Sequence, residues 1–379
     1  MGEIKSFAIP GDIRFGWGSL SYLGNVRSNR ALIVTGKHAM QKFGYLDIAK
    51  NFLTKNGAKV LVIDGIEEDP SIDTITKNSK RVADFSPDWV IGMGGCSAID
   101  AAKALWICYE YPNLKSEEIF VPFGIPPLVK AKFIAIPSTS GTGTEMSNAA
   151  VITDHEKNTK RSIVSPEILP DLVILDPELT ITMPKYTTAC TGMDALVHAI
   201  EAYVSTDHSK FTDSAAIEAI SLIIEYLPIA YEMPNDHTAR ENMHYASSLA
   251  GFAQSNAVLG ICHSMAHQLG GMFGITHGLA NAILLPHIIR YNAEATDRYE
   301  TLAQKTGNGN ANELIKLTNN LARRLELGST LKSSGILKEE YQIKMDQMVE
   351  WAIKDDCTLT NPRKPSPADI KTLFTLAYE

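Results

Sequence analysis

The sequence predicts an α/β N-terminal domain built on a parallel sheet, followed by an all-α C-terminal domain. Three observations carry this. Short apolar runs alternate with amphipathic helices through the first half, the alternation stops after Ala149-Ala150, and long amphipathic segments without a convincing strand begin at Pro184. Continuous apolar strands between helices indicate a parallel sheet covered on both faces. A chain of 379 residues is long for a single core. The residue before a proline is pushed out of helical geometry. The boundary is therefore expected near Met183-Pro184, giving domains 1–183 and 184–379.

Taken in order, Ala31 to Thr35 reads as the first buried strand, followed by a helix from about Ala39 to Lys55. Lys59 to Ile63 is the next strand, with a helix from Ser71 to Asp84. Asp88 to Ile91 and Lys132 to Ile136 are two more strands, separated by a helix from Ala98 to Tyr109. Val151 to Ile174 is more irregular, and Thr159 to Val164 suits a hairpin over the site. Helices are expected over Thr187–Val204, Ser209–Leu227, Thr238–Gln254, His277–Tyr291 and Tyr341–Ile353, with a last helix after the Asn361–Pro367 loop.

Composition excludes several classes. With 45% hydrophobic and 21% charged residues, the chain is an ordinary globular one. A net charge of −8 and the lack of a long basic run argue against nucleic acid as a partner. No apolar stretch suggests a membrane span, and Met1 to Pro10 lacks the apolar core of a signal peptide. Met1 to Ser6 fits a myristoylation pattern too loose to carry weight. Cys96, Cys108, Cys190, Cys262 and Cys357 are odd in number and scattered, which suits reduced thiols in a cytoplasmic protein.

Two loops offer places for phosphates. Gly92-Met93-Gly94-Gly95-Cys96-Ser97 joins a strand to a helix, where glycines let a pyrophosphate approach free amides. Ser97 stands where the last glycine of a G-x-G-x-x-G motif would be, so the loop is Rossmann-like and not that fingerprint. Taken by itself, it reads equally as a tight turn. The run Pro137 to Glu145, with Thr139, Ser140 and Thr142, follows another strand and is too rich in hydroxyls and glycines for an ordinary turn. Together the loops suit a dinucleotide.

The chain has ten histidines, and His263, His267 and His277 fall within fifteen residues. His263 and His267 are four apart, as are Asp194 and His198, so each pair shares a helical face. Two such pairs can converge on one divalent metal. The alternative is a set of hydrogen-bonded core histidines, and spacing alone does not say which of the clustered histidines would be ligands.

The runs Gly192 to Tyr203 and Cys262 to Asn292 resemble the iron-containing (group III) alcohol dehydrogenases, and the resemblance extends through most of the chain. It implies an NAD- or NADP-binding α/β domain and a helical domain holding Fe²⁺ in the cleft. By motif matching the ligands would be Asp194, His198, His263 and His277, with His267 as an additional histidine near the nicotinamide. Asp100, Lys103 and Lys160 also match the family pattern. Gly36 stands where many NAD-preferring members carry Asp, which tilts the expectation toward NADP. Where the family's phosphate loop commonly reads Gly-Gly-Gly-Ser, this chain has Cys96, whose backbone must then hold negative φ or be strained.

The implied reaction interconverts a small alcohol and its aldehyde or ketone by hydride transfer with NAD(P)(H). Three imidazoles and a carboxylate suit Fe²⁺ or Zn²⁺ as the Lewis acid. His267 is the candidate catalytic residue as a proton relay, since imidazole titrates near neutrality, with a structural role as the alternative. Phe252, Gln254 and Leu259 are candidate pocket residues. The competing class is an NAD- and metal-dependent lyase of the dehydroquinate-synthase type, which needs clustered cations for a substrate phosphate. Between Asp194 and Asn292 the only strong cations are Lys210, Arg240 and Arg290, which counts against it. A homodimer is expected.

Overall fold

Neighbouring residues of strand β2 (Arg30–Gly36) are buried on opposite faces of one sheet. Ala31 and Ile33 join one apolar cluster, whereas Leu32 and Val34 join another. Side chains alternate across a pleated strand, so a strand buried on both sides must be apolar throughout. The computed structural model describes residues 6–114, 116–157 and 159–379. All of the loose myristoylation pattern except Ser6 lies outside them.

The first compact unit comprises the chain to Thr139 together with Gly143–Thr182. Its strands are β1 (Ile13–Phe15), β2, β3 (Lys59–Ile66), β4 (Trp89–Gly94), β5 (Lys132–Pro137), β6 (Ala149–Asp154), β7 (Thr159–Val164) and β8 (Leu172–Leu175). Six of these form a parallel sheet in the order β1-β8-β5-β4-β2-β3. β6 and β7 pair antiparallel as a separate hairpin. The helices are α1 (Ala39–Lys42), α2 (Tyr45–Lys55), α3 (Ile72–Phe85), α4 (Cys96–Glu110) and α5 (Ser116–Ile119).

The sheet differs from the sequence reading in two places. The expected helix from Ala39 to Lys55 is broken, because Gly44 adopts a left-handed conformation (φ 80°) between α1 and α2. Parallel pairing also continues past Ala150 in β8, which joins β5 to the edge strand β1. At four and three residues, these strands are too short for a periodicity signal.

The second unit comprises Ser140–Thr142 with Met183–Glu379. It is helical: α6 (Lys185–Val204), α7 (Lys210–Glu232), α8 (His237–Ala257), α9 (Ile261–Phe273), α10 (His277–Asn292), α11 (Arg298–Lys305), α12 (Ala311–Arg324), α13 (Lys338–Lys354) and α14 (Pro367–Tyr378). α6, α7 and α8 pack on one another, and α10 lies against both α6 and α9. The expectation of no membrane-length apolar segment needs amending, because α7 is long and apolar enough by length and composition. Half of its apolar window is buried. Asp213 in its first turn is paired with Arg298 at 2.6 Å. Its apolar residues Ala216, Ala219, Ile220, Ile223 and Leu227 belong to the helical core.

Candidate metal centre and dinucleotide loops

Three helices each present polar residues at helical spacing toward one point. On α6 these are Asp194, His198 and Glu201; on α9, His263 and His267; on α10, His277 and Asn281. Residues three or four apart share a helix face. Ligand atoms of Asp194, His263 and His277 all lie within 4.8 Å of one another. Asp194 Oδ1 is 3.4 Å from His277 Nε2 and 3.7 Å from His263 Nε2. His198 stands beside this group, with Nδ1 3.7 Å from Asp194 Oδ2 and its ring stacked on His263 at 4.4 Å.

The setting is apolar and the charges are deeply placed. Asp194, His198, Glu201, His263 and Asn281 are all buried. Among the described residues, neither Asp194 nor Glu201 has a Lys or Arg partner; their contacts are imidazoles, Asn281 and backbone amides. Burial alone would raise the Asp194 carboxyl, yet the three surrounding imidazoles hold it far below the usual carboxylate range. Burial lowers His198 to about 4 against the pull of Asp194. Burial also works against a charge on His263, but the carboxylates of Asp194 and Glu201 outweigh it and lift the group to about 9. Two buried carboxylates thus hold a proton where a divalent cation would supply the countercharge.

The donor set fits such a cation. One carboxylate and three imidazoles are ligands suited to Fe²⁺ or Zn²⁺. His198 Nδ1 is buried without a hydrogen-bond partner, as expected of a group beside an ion. His263 Nδ1 is 2.6 Å from Glu201 Oε2, so in the neutral ring that a metal ion requires, the proton faces Glu201 and the Nε2 lone pair is left on the side of Asp194 and Asn281. Carboxylate–imidazole support of this kind orients a metal-ligating histidine.

Glu201, Asn281 and Asp355 are the site residues that sequence reading missed. Spacing could have found two of them. Glu201 follows Asp194 and His198 at one further helical step, and Asn281 follows His277 by four. Asn281 Nδ2 lies 2.8 Å from Asp194 Oδ1 and 3.2 Å from Nε2 of both His263 and His277. Asp355, whose Oδ2 is 2.8 Å from His267 Nδ1, comes from a distant turn with no local signature. His267 stacks on His277 with 5.4 Å between ring centroids, outside the ligand group. Phe252 and Gln254 lie on α8, and Leu259 is buried just beyond it.

The first unit gathers most of the expected dinucleotide residues at the carboxyl ends of its central strands. Thr35 of β2 lies opposite Met93 of β4, and Gly94 opposite Pro137 of β5. Gly36, the Gly94–Ser97 loop and Thr139 therefore leave the sheet on one edge, the usual ligand side of a parallel sheet. The strained conformation falls on Gly94 (φ 142°), and Cys96, at the start of α4, has no positive φ. Gly95 caps α4 without a side-chain hydrogen bond, a helix start suited to an anion. Ser97 Oγ accepts a hydrogen bond from Asp69 N at 3.2 Å, and Asp69 pairs with Lys160 at 2.7 Å.

Asp100 is turned inward, accepting from Thr144 Oγ1 at 2.7 Å and Val151 N at 2.9 Å. The neighbouring Lys103 is also buried, donating to the carbonyls of Thr144, Ser147 and Ala149. Both brace the second loop against α4. Ser140 and Thr142 belong to the helical unit, where Ser140 Oγ lies 3.2 Å from His244 Nδ1.

Comparison with known proteins points one way. Residues 10–177 match the family described as iron-containing alcohol dehydrogenase, and residues 188–378 match the C-terminal part of the Fe-containing alcohol dehydrogenase family. The chain is 47% identical over 380 residues to an NADPH-dependent butanol dehydrogenase of Clostridium saccharobutylicum, covering 98% of this chain and 97% of that one. It is 39% identical to an alcohol dehydrogenase of Thermococcus barophilus, covering 99% and 100%. An iron-containing alcohol dehydrogenase structure from Thermococcus thioreducens superposes with a TM-score of 0.92 at 37% identity, covering 98% and 99%.

Proposed function

Because the chain belongs to the iron-containing alcohol dehydrogenase family, we propose that Asp194, His198, His263 and His277 hold Fe²⁺ and that the Gly94–Ser97 loop holds the cofactor's phosphates. The enzyme is an oxidoreductase interconverting alcohols and aldehydes or ketones with NAD(P)(H). The lyase alternative is not favoured, since the named relatives are dehydrogenases. Arg240, one of the few cations near the ligands in sequence, is buried on Thr188 and Pro234, away from any substrate role.

The observation that carries this reading is the convergence of Asp194, His263 and His277 within 4.8 Å, with Glu201 fixing the His263 tautomer. A bound divalent ion supplies Lewis acidity toward the substrate oxygen. The protein supplies the rest. Buried carboxylates set the charge of the centre, α9 and α10 orient the imidazoles, and His267 stands beside His277 to carry a proton. Gly36, Thr139 and Lys160 border the cofactor, and Asp100 supports that loop from below. Zn²⁺ fits the same donors, so the choice of iron rests on the family. NADP is read as the preferred cofactor from Gly36 and from the NADPH-dependent relative.

We read the protein as a cytoplasmic homodimer, supported by five free thiols and by edge strand β1, whose Phe15 is 68% exposed. The functional test is reconstitution of chelator-stripped protein with Fe²⁺ or Zn²⁺, followed by assays of short alcohols, diols and aldehydes with both cofactors. Turnover that returns with Fe²⁺ is expected. Full turnover in protein free of metal would overturn the assignment.

A further inference from the structure

The imidazole of His267 is held on two sides. Its Nδ1 lies 2.8 Å from Asp355 Oδ2, and its ring is nearly parallel to that of His277, at 13°. Asp355 is itself fixed. It ends α13 and caps the short turn Asp356–Thr360, where its Oδ1 accepts from Cys357 N at 3.0 Å and from Ser264 Oγ at 3.5 Å. One carboxylate oxygen is thus tied to the turn and the other is aimed at the ring. An ionised carboxylate only accepts, so Nδ1 must carry the ring hydrogen and Nε2 must be bare in the neutral imidazole. Among the described residues no protein group hydrogen-bonds to Nε2, and the side chain is 38% exposed.

We infer that Asp355 is a positioning residue for the dehydrogenase reaction: it locks His267 in the Nδ1–H tautomer, leaving Nε2 as the atom that takes the substrate proton. This rests on the dehydrogenase reading above and extends it to a residue outside the ligand set. In oxidation, the alcohol C–H bond breaks with its electron pair passing as hydride to the oxidised nicotinamide. The O–H bond breaks with its proton passing to Nε2, and the carbonyl forms. The imidazolium so made lies against the Asp355 carboxylate, which stabilises it as a buried carboxylate does in other imidazole relays. Burial raises the nearby Cys357 thiol well above its usual range, so the cluster suits proton handling better than a second metal.

Asp355→Asn tests the assignment. Asparagine caps a turn as well as aspartate does, but it offers an N–H to Nδ1 and so moves the ring hydrogen to Nε2. kcat should fall by at least about tenfold, toward the ~10²–10⁴ that a positioned acid–base group contributes. KM, metal content and Tm should hold. In a His267→Gln background, adding Asp355→Asn should lower kcat no further. The ¹⁵N-resolved imidazole spectrum of metal-free protein, with His267 assigned by its loss in His267→Gln, should show Nδ1–H in the parent and Nε2–H in the variant. An Nε2–H tautomer in the parent, an unchanged kcat in Asp355→Asn, or multiplicative effects of the two substitutions would overturn the inference. A parent that oxidises no alcohol would overturn the dehydrogenase reading instead, while the spectrum still decides the tautomer. The parent spectrum also decides it should Asp355→Asn not fold.

Discussion

Glu201 Oε2 lies 2.6 Å from Nδ1 of His263, and Glu201 Oε1 accepts the backbone N–H of Cys262 at 2.8 Å. One side chain on α6 therefore fixes both the start of α9 and the ring it carries. Replacing Glu201 with Gln keeps the shape and the acceptor for Cys262, but removes the charge that holds the proton on Nδ1. Removing such outer support typically costs roughly 10–100-fold in metal affinity. Glu201→Gln should show that loss in a competition titration against a chelator, with helical content unchanged. Equal affinity in parent and variant would reduce Glu201 to a helix-start anchor.

The proposed ligands and His267 were more legible than the groups that support them, for a physical reason. Asp194 with His198, and His263 with His267, are pairs at one helical step, and such pairs survive in a linear reading. Glu201 meets His263 across 62 positions and Asp355 meets His267 across 88, distances that only the packed helices close. The central strands were legible because burial on both faces makes them continuously apolar. β1 and β8 were not, being only three and four residues long. The hydroxyl-rich loop after β5 read as one ligand-binding run, but its Thr144 donates to Asp100 of α4 and its Ser140 packs with His244. Sequence shows which groups can bind an anion; it does not show which of them face one.

Two glycines near the proposed metal ligands should respond in opposite ways. A Cβ on Gly278 would lie 1.9 Å from the carbonyl oxygen of Cys190, so α10 could accept one only by moving away from α6. Gly271, inside α9, has nothing within 4 Å of such a Cβ. Gly278→Ala should lower stability by at least the ~1–3 kcal/mol of an overpacked core and reduce metal content with it, because His277 precedes it. Gly271→Ala should raise stability by about 0.4–1 kcal/mol through the unfolded chain. Denaturant midpoints with metal analysis decide both, and a neutral Gly278→Ala would show that the two helices are not in close contact.

His244 gives the helical unit an acid sensitivity of known sign. Burial lowers this imidazole from its ordinary 6.5 to about 4, and its Nε2 has no hydrogen-bond partner. Between those values the unfolded chain binds a proton that the folded chain refuses, so stability rises with pH across the window and is lost as pH falls through it. The full effect is about 3 kcal/mol, reached near the folded value, with little further change below. Glutamine can keep a hydrogen bond to Ser140 without titrating. Unfolding free energies measured from pH 7 to 4 should fall more steeply in the parent than in His244→Gln. Parallel curves would mean that His244 is not buried in its neutral form.

The cofactor preference can be tested at one position without disturbing the fold. Gly36 ends β2, and a Cβ there would meet only the Ile66 carbonyl oxygen, at 3.8 Å, an ordinary contact. Its φ is not in the left-handed region, so an L-residue fits the backbone as well as the space. The position borders the glycine loop, since a Cβ on Gly94 would lie 3.9 Å from Gly36 N. An aspartate here would accept hydrogen bonds from an adenosine ribose and repel a phosphate at its 2′ position. Glycine removes that repulsion, and the next two residues, Lys37 and His38, are exposed. NADPH should therefore serve aldehyde reduction at least as well as NADH in the parent. In Gly36→Asp the ratio of kcat/KM values should move toward NADH by roughly ten- to a hundredfold, the worth of about 1.5–3 kcal/mol for charged hydrogen bonds. A strong NADH preference in the parent, or no movement after substitution, would place the ribose away from Gly36.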